Sequence, residues 1–295
     1  MIPGFATQRI AVADAEILVE TGGGGPPLLL LHGYPETHAC WHRVAPRLAA
    51  DFTVVCPDLR GYGGSRFIGI ETPDHAAFSK RAMARDQVAV MATLGFERFA
   101  VAGHDRGGRV AYRLALDHAA RVTRLAVLDI VPTLEAFERM GAKSAMGAYH
   151  WLFLAQPHDM PERMIAGDPG FYLDWTVRSW CGPGTTLAPE ALADYHAAFR
   201  NPAVIHAACE DYRAGATLDC DYDRADREAG RRIACPVLAL WGARRSGGTA
   251  GSDPLAVWRR WADQVEGGPI ECGHFLPEEA PDAVAAALRR FFAAP

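Results

Sequence analysis

The stretch "VAGHDRGGRVAYRLAL", residues 101–116, decides how the rest of the chain is read. Small and apolar residues meet a Gly-rich turn, and a helical pattern follows. Asp105 stands at the tip of the turn, between His104 and Arg106. The pattern G-x-Nuc-x-G fits a nucleophile elbow with a carboxylate in the nucleophile position. Gly103 and Gly107 suit such a bend, because strand and helix approach so closely there that a Cβ at either would clash. A bare G-x-D-x-G is common by chance. Its place after a buried strand and before a helix makes it specific.

Outward from the elbow the same strand-then-loop grammar recurs. "PLLLLHG" (27–33) is a continuous apolar run, as expected of a strand buried on both faces of a parallel sheet. "FTVVCPDLRGYGGS" (52–65) and "VTRLAVLDIVP" (122–132) repeat the design. "IAVADAEILVE" (10–20) reads as an early strand and "TGGGGPP" (21–27) as a hairpin turn. A phosphate cradle there is disfavoured, since no helix N-terminus follows to supply amides. Helical stretches are predicted at 38–50, 82–94 and 108–118. After Pro132 the grammar changes: residues 133–228 hold no convincing buried strand and are rich in Trp, Tyr, His, Met and helix formers. The β pattern resumes at "CPVLALWG" (235–242), passes "GGPIECGHFLPEEAP" (267–281) and ends with the amphipathic "DAVAAALRRFF" (282–292). Strands alternating with helices predict an α/β fold with a mostly parallel sheet flanked by helices. The expected division is a core of residues 1–132 and 229–295, with a helical cap at 133–228 roofing the carboxyl ends of the strands. "SGGTAGSDP" (246–254) reads as an exposed loop.

Composition narrows the function. With 295 residues, 49% of them hydrophobic, a large core is affordable, and a formal charge of −5 offers no basic footprint for nucleic acid. Net charge does not describe a single pocket, so a small anion remains a possible ligand. The N-terminal residues show no basic region followed by an apolar one, so no signal peptide is expected. No apolar stretch approaches the ~18 residues of a membrane helix. Seven scattered cysteines without a C-x-x-C predict reduced, mostly inert thiols in the cytoplasm. No cofactor or metal is expected. His38 and His42 have i, i+4 spacing but no third ligand, so packing is the better reading. "REAGRR" (227–232) reads as a solvated face.

A carboxylate nucleophile restricts the chemistry. Attack on an ester carbonyl would give an anhydride, no easier to hydrolyse than the starting ester. Attack on a saturated carbon bearing a leaving group gives an alkyl ester on Asp105, which water then cleaves at its carbonyl. The substrate class is therefore an alkyl halide or an epoxide. "ECGHFLPEE" (271–279) supplies His274 as a base for water, and Asp129, at the end of "LAVLD", is placed to orient it. The order Asp, Asp, His along the chain parallels the nucleophile, acid, base order of α/β-hydrolases. In "LHGYPET" (31–37) the Tyr34 amide, with that of Arg106, is a candidate oxyanion hole; the bland alternative is a tight turn.

The combination of "LHGYPET", "PDLRGYGGS", "GHDRGGRVAYRLALDH", "LDIVPT" and "GHFLPEEAP" resembles the α/β-hydrolase fold fluoroacetate (haloacetate) dehalogenases. The likeness runs through nearly the whole chain. Ala119 stands where that family usually has proline, and Tyr34 where it has phenylalanine. The resemblance implies Asp105 as nucleophile, His274 as water-activating base and Asp129 as its partner. It also implies that Arg106 and Arg109 bind the substrate carboxylate, that His150, Trp151 and Tyr212 bind halide, and that the enzyme is a homodimer acting on a small haloacid. The residues agree in part on their own terms. Arg109 follows Arg106 by three, so both can project from the first turn of the elbow helix toward one carboxylate. Fluoride is a poor leaving group and needs several converging donors, which imidazole, indole and phenol supply. Packing alone is the competing role for Trp151 and Tyr212.

Two rivals remain. An epoxide hydrolase shares the Asp nucleophile and uses cap tyrosines, of which Tyr149, Tyr172, Tyr195 and Tyr212 are available. Such enzymes usually carry an aromatic residue after the nucleophile, whereas Arg106 favours an anionic substrate. A catalytically silent receptor on the same scaffold is opposed by the intact triad.

Overall fold

The computed structural model describes residues 2–244 and 253–293. Most of the loop expected at 246–254 lies outside the described residues. The strands are β1 (Ala6–Ala11), β2 (Ala15–Gly23), β3 (Pro27–Leu31), β4 (Thr53–Pro57), β5 (Arg66–Phe67), β6 (Phe99–His104), β7 (Val122–Leu128), β8 (Val237–Gly242) and β9 (Val265–Ile270). They form one sheet in the order β1-β2-β4-β3-β6-β7-β8-β9, with β5 pairing β2. From β4 through β9 every neighbouring pair on this path is parallel, while β1 and β2 add an antiparallel edge. The central strands are apolar on both faces: Leu28–Leu31, Val54, Val55, Val101 and Leu125–Leu128 are all inaccessible to solvent. Helices cover both sides, so no polar face is required of them.

Five local expectations needed correction. The early strand is two: the chain turns at 12–14, Val12 N–H donating to Ala15 O at 2.9 Å, and Ile10 lies opposite Ile17. The glycine run is not a hairpin, because β2 pairs with β4 and β3 lies beyond it. The stretch 38–50 breaks into a 3-10 turn, His38–Trp41, and a short helix, Ala45–Leu48. Pro46 is the reason: it has no N–H to continue an earlier helix but fits a helix start. The other two predicted helices begin earlier than expected, at Lys80 and at Asp105. Ser79 caps the first, its Oγ accepting from Ala82 N at 3.2 Å.

Between β7 and β8 every regular segment from Thr133 to Glu228 is helical. Chain order reverses direction across the sheet between β3 and β6, where the chain first runs outward to β4 and later returns on the other side. In open α/β sheets this switch point opens a crevice at the carboxyl ends of the strands. Tyr34, Asp105 and Asp129 all lie just past those ends.

Candidate active site

The elbow forms because two glycines permit it. A Cβ on Gly103 would lie 2.3 Å from Gly107 O, and one on Gly107 would lie 2.4 Å from His32 O. Both contacts are to backbone, so no side chain can give way. The helix Asp105–Asp117 starts directly from β6, and Asp105 is forced to a φ of 44°. Asp129, just after β7, has a φ of 57°. Non-glycine residues in this left-handed region cost about 1–3 kcal/mol each and are concentrated at functional sites.

The three residues of the expected triad converge. His274 Nδ1 lies 2.5 Å from Asp129 Oδ2, and its Nε2 lies 3.9 Å from Asp105 Oδ2. Asp129 is itself fixed: Gly242 N–H donates to its Oδ1 at 3.0 Å, and its own N–H donates to Leu240 O at 2.8 Å. The contact with Asp129 directs the Nδ1–H of the imidazole to that carboxylate and turns Nε2 toward Asp105. The His274 loop is held from two sides. Its N–H donates to Trp180 O at 3.0 Å, and its carbonyl accepts from His104 Nε2 at 2.8 Å.

The two Asp105 oxygens have different surroundings. Oδ1 accepts the Tyr34 N–H at 3.0 Å, while Oδ2 faces His274. Burial alone would raise the Asp105 carboxyl, but the adjacent His274 imidazole and the charges of His104, Arg106 and Arg109 hold it well below the ordinary carboxylate range. It is therefore ionised at neutral pH. His104 lies behind it, its Nδ1 2.8 Å from Glu36 Oε2; burial opposes its charge, but Glu36 carries its pKa up to about 9.

The arginines diverge. Arg109 keeps one edge available: Nη1 donates to Val131 O and Thr133 Oγ1, both at 3.1 Å, while its buried Nε meets no acceptor among the described residues. Its guanidinium lies 4.4 Å above the Trp151 ring centroid. Arg106 is engaged more fully than the sequence implied. Its Nε and Nη2 donate to the Asp211 carboxylate at 2.9 and 2.6 Å, and Nη2 also reaches Asp211 O at 2.9 Å. Its guanidinium sits 4.1 Å above the Tyr212 ring centroid.

His150 and Trp151 stand on the helix Tyr149–Leu154, and Tyr212 on Pro202–Ala216. Tyr212 is central to the group: its ring centroid is 5.3 Å from Tyr34, 5.6 Å from His150 and 6.3 Å from Trp151. Its hydroxyl is buried and has no hydrogen-bond partner among the described residues. Burial and Asp105 raise its pKa, so it remains a donor. Of the other cap tyrosines, Tyr172 shares a 3.1 Å hydrogen bond with the Tyr34 hydroxyl, and Tyr195 donates to Glu278 at 2.8 Å. The whole group is enclosed: Asp105, His274, Trp151 and Tyr212 are each less than a tenth exposed.

Several neighbours escaped the sequence reading. Trp180 packs between His150 and His274, at 4.3 and 5.3 Å between centroids. Asp211, Lys80 and Tyr62 form a buried polar group around Arg106. Only the clustering in "CEDYRAG" hinted at Asp211. His38 and His42 turn to separate partners, Asp58 Oδ1 at 2.8 Å and Ala39 O at 2.9 Å. A different grouping, His158, Glu162 and His206, has candidate ligand atoms within 4.8 Å of one another among the described residues. Glu162 is already held by Arg213 at 2.6 and 3.0 Å, and His206 by Glu71 at 2.9 Å. Arg227 and Arg231 of "REAGRR" pair with Glu138 and Asp226.

Comparison with known proteins agrees with this architecture. Residues 26–281 match the family model described as alpha/beta hydrolase fold. The chain is 45% identical to a fluoroacetate dehalogenase from a Burkholderia species, over 99% of this chain and 95% of that protein. It is 35% identical to a soluble epoxide hydrolase from Corynebacterium sp. strain C12, over 92% of each. A solved structure from Pseudomonas aeruginosa, provisionally named an epoxide hydrolase, superposes with a TM-score of 0.93 at 53% identity, covering 99% of this chain and 96% of that one.

Proposed function

The chain belongs to the α/β-hydrolase family, and from that premise we propose that it is a hydrolytic dehalogenase of short 2-haloacids, converting a haloacetate to glycolate and halide. The observation that carries this reading is an ionised carboxylate at the elbow, enclosed with Arg109 and with a buried, unpartnered phenol. Asp105 Oδ2 attacks the carbon bearing the halogen; the new C–O bond forms as the C–halogen bond breaks, and the halide departs with the bonding pair. His150, Trp151 and Tyr212 receive it. Arg109 and the remaining Nη1 edge of Arg106 hold the substrate carboxylate, which brings the carbon within reach of Asp105. Burial and the nearby Arg106 press against the Arg109 charge, a pressure that a bound anion relieves.

In the second step His274 Nε2 takes a proton from water and the hydroxide adds to the Asp105 ester carbonyl. Charge develops on Oδ1, where the Tyr34 amide already donates and the Arg106 amide is the expected second donor. Collapse expels glycolate oxygen, which takes the proton back from His274, and Asp105 returns to its carboxylate by losing a proton to solvent. The division of the chain into a core and a cap at 133–228 is part of this proposal, as is a cytoplasmic homodimer. The seven free cysteines support a reducing compartment. Exposed Met146, Met164, Phe171 and Trp175 on the helical segment support a second copy.

The runner-up is an epoxide hydrolase, favoured by two of the three named relatives and by the Tyr212 hydroxyl, which has no hydrogen-bond partner among the described residues. Enclosure and paired arginines favour a small anion over a neutral epoxide. Halide release from fluoroacetate and chloroacetate, measured beside diol formation from styrene oxide, separates the readings. Diol without halide establishes the rival, and neither product points to a silent receptor.

A further inference from the structure

Lys80 is 1% exposed, yet it has no part in the steps above. Its ammonium contacts Asp211 Oδ1 and lies 3.5 Å from Asp219 Oδ2. Asp211, inaccessible to solvent, thus sits between two cations, since its carboxylate also accepts from Arg106 and from the Tyr62 hydroxyl at 2.7 Å. Arg106 and Lys80 stand in direct contact with Asp211 and Asp219, two cations against two anions. Remove Lys80 and the buried group is net negative before any carboxylate substrate enters.

Burial and Arg106 push the Lys80 ammonium toward deprotonation, and Asp219 opposes them. Geometry favours the charged form. Asp219 is 2% exposed and has no other cationic partner among the described residues, so a neutral Lys80 would leave it buried and uncompensated.

We infer that Lys80 is a positioning residue for anionic substrates: it neutralises Asp211, so that the charge of Arg106 stays available to the substrate carboxylate. This rests on the reading of Arg106 and Arg109 as the carboxylate site. It also accounts for the bidentate grip of Asp211 on Arg106, which by itself would cancel the charge that the site needs. Asp211 sets the orientation of the guanidinium, and Lys80 offsets the electrostatic consequence.

One unit charge at roughly 8 Å from an anion, in an effective dielectric of about 20, changes affinity about 30-fold. Lys80→Met is therefore expected to raise KM for chloroacetate about 30-fold with kcat within about threefold, the pattern of lost uniform binding. The inhibition constant of glycolate should rise by the same factor, while weak inhibition by uncharged glycolamide stays unchanged. Lys80→Arg should restore glycolate affinity. Should Lys80→Met fail to fold, the Lys80→Met/Asp219→Asn double variant removes the ammonium together with the carboxylate it would leave unpaired, keeps Asp211 on Arg106, and is expected to weaken glycolate as Lys80→Met does. Unchanged glycolate binding in Lys80→Met or in a folded double variant, or equal weakening of glycolate and glycolamide, would overturn the inference. Wild-type enzyme that releases no halide from chloroacetate would defeat the proposed function instead. Calorimetric binding of glycolate to the same variants would still decide the role of Lys80.

Discussion

Replacing His274 with asparagine separates the two chemical steps. The nucleophile keeps its elbow geometry and its Tyr34 hydrogen bond at 3.0 Å, because neither depends on the imidazole. What disappears is the base whose Nε2 stands 3.9 Å from Asp105 Oδ2, on the side from which water must reach the ester. Loss of a positioned general base costs about 10²–10⁴-fold in the step it serves, or about 3–5 kcal/mol of barrier. Alkylation should fall far less. His274 is there only one of four neighbours that keep Asp105 ionised, and the charges of His104, Arg106 and Arg109 remain. The variant should release one equivalent of halide from chloroacetate in a burst and then stall. Intact-mass measurement should show a carboxymethyl group on the protein, located at Asp105 by peptide mapping. A variant with neither burst nor adduct would refute the assignment of His274 to the second step. Steady turnover near the wild-type rate would refute the base itself.

Tyr212→Phe removes a buried donor with no hydrogen-bond partner among the described residues, so the fold should tolerate it; fluoride release should fall about tenfold or more, and chloride release much less, because fluoride depends most on hydrogen bonding as it leaves. Gly107→Ala places a Cβ 2.4 Å from His32 O and 2.5 Å from Leu31 O, and thermal unfolding should report a loss of about 3 kcal/mol or more. His104, raised by Glu36 to about 9 against the burial that lowers it, should stabilise the fold fully below about pH 6.5. That contribution, on the order of 3 kcal/mol, is lost as pH rises through 9, and denaturant titrations of Glu36→Gln should show a flatter decline over the same range.

The legible part of this molecule is the part written locally. Unbroken apolar runs such as Leu28–Leu31 imply parallel strands, because only a strand covered on both faces has no need of alternation. Glycines at 103 and 107 mark a close approach, and the carboxylate between them is what makes attack on a saturated carbon the reaction to propose. Asp129 was readable because it follows a strand of that pattern, and His274 because it stands in the loop between the last strand and the final amphipathic helix. The misreadings were also local. Pro46 divided a helix, and Asp14 lies in a turn that apolar neighbours on either side obscured.

What sequence could not supply was the pairing of side chains that meet only after the helical segment folds over the sheet. Arg106 and Arg109 are alike in the sequence, three residues apart on one helix. The structure makes them different, since Asp211 arrives from 105 residues away to grip one and leaves the other's Nε open. Lys80 reaches the same carboxylate from 131 residues away. Their charges act through distance in a low-dielectric interior, and that distance exists only in the tertiary structure. By itself the sequence determined the sheet, the elbow and the carboxylate at its tip. The tertiary structure decided which cations stay free to meet the substrate, because burial makes every uncompensated charge count.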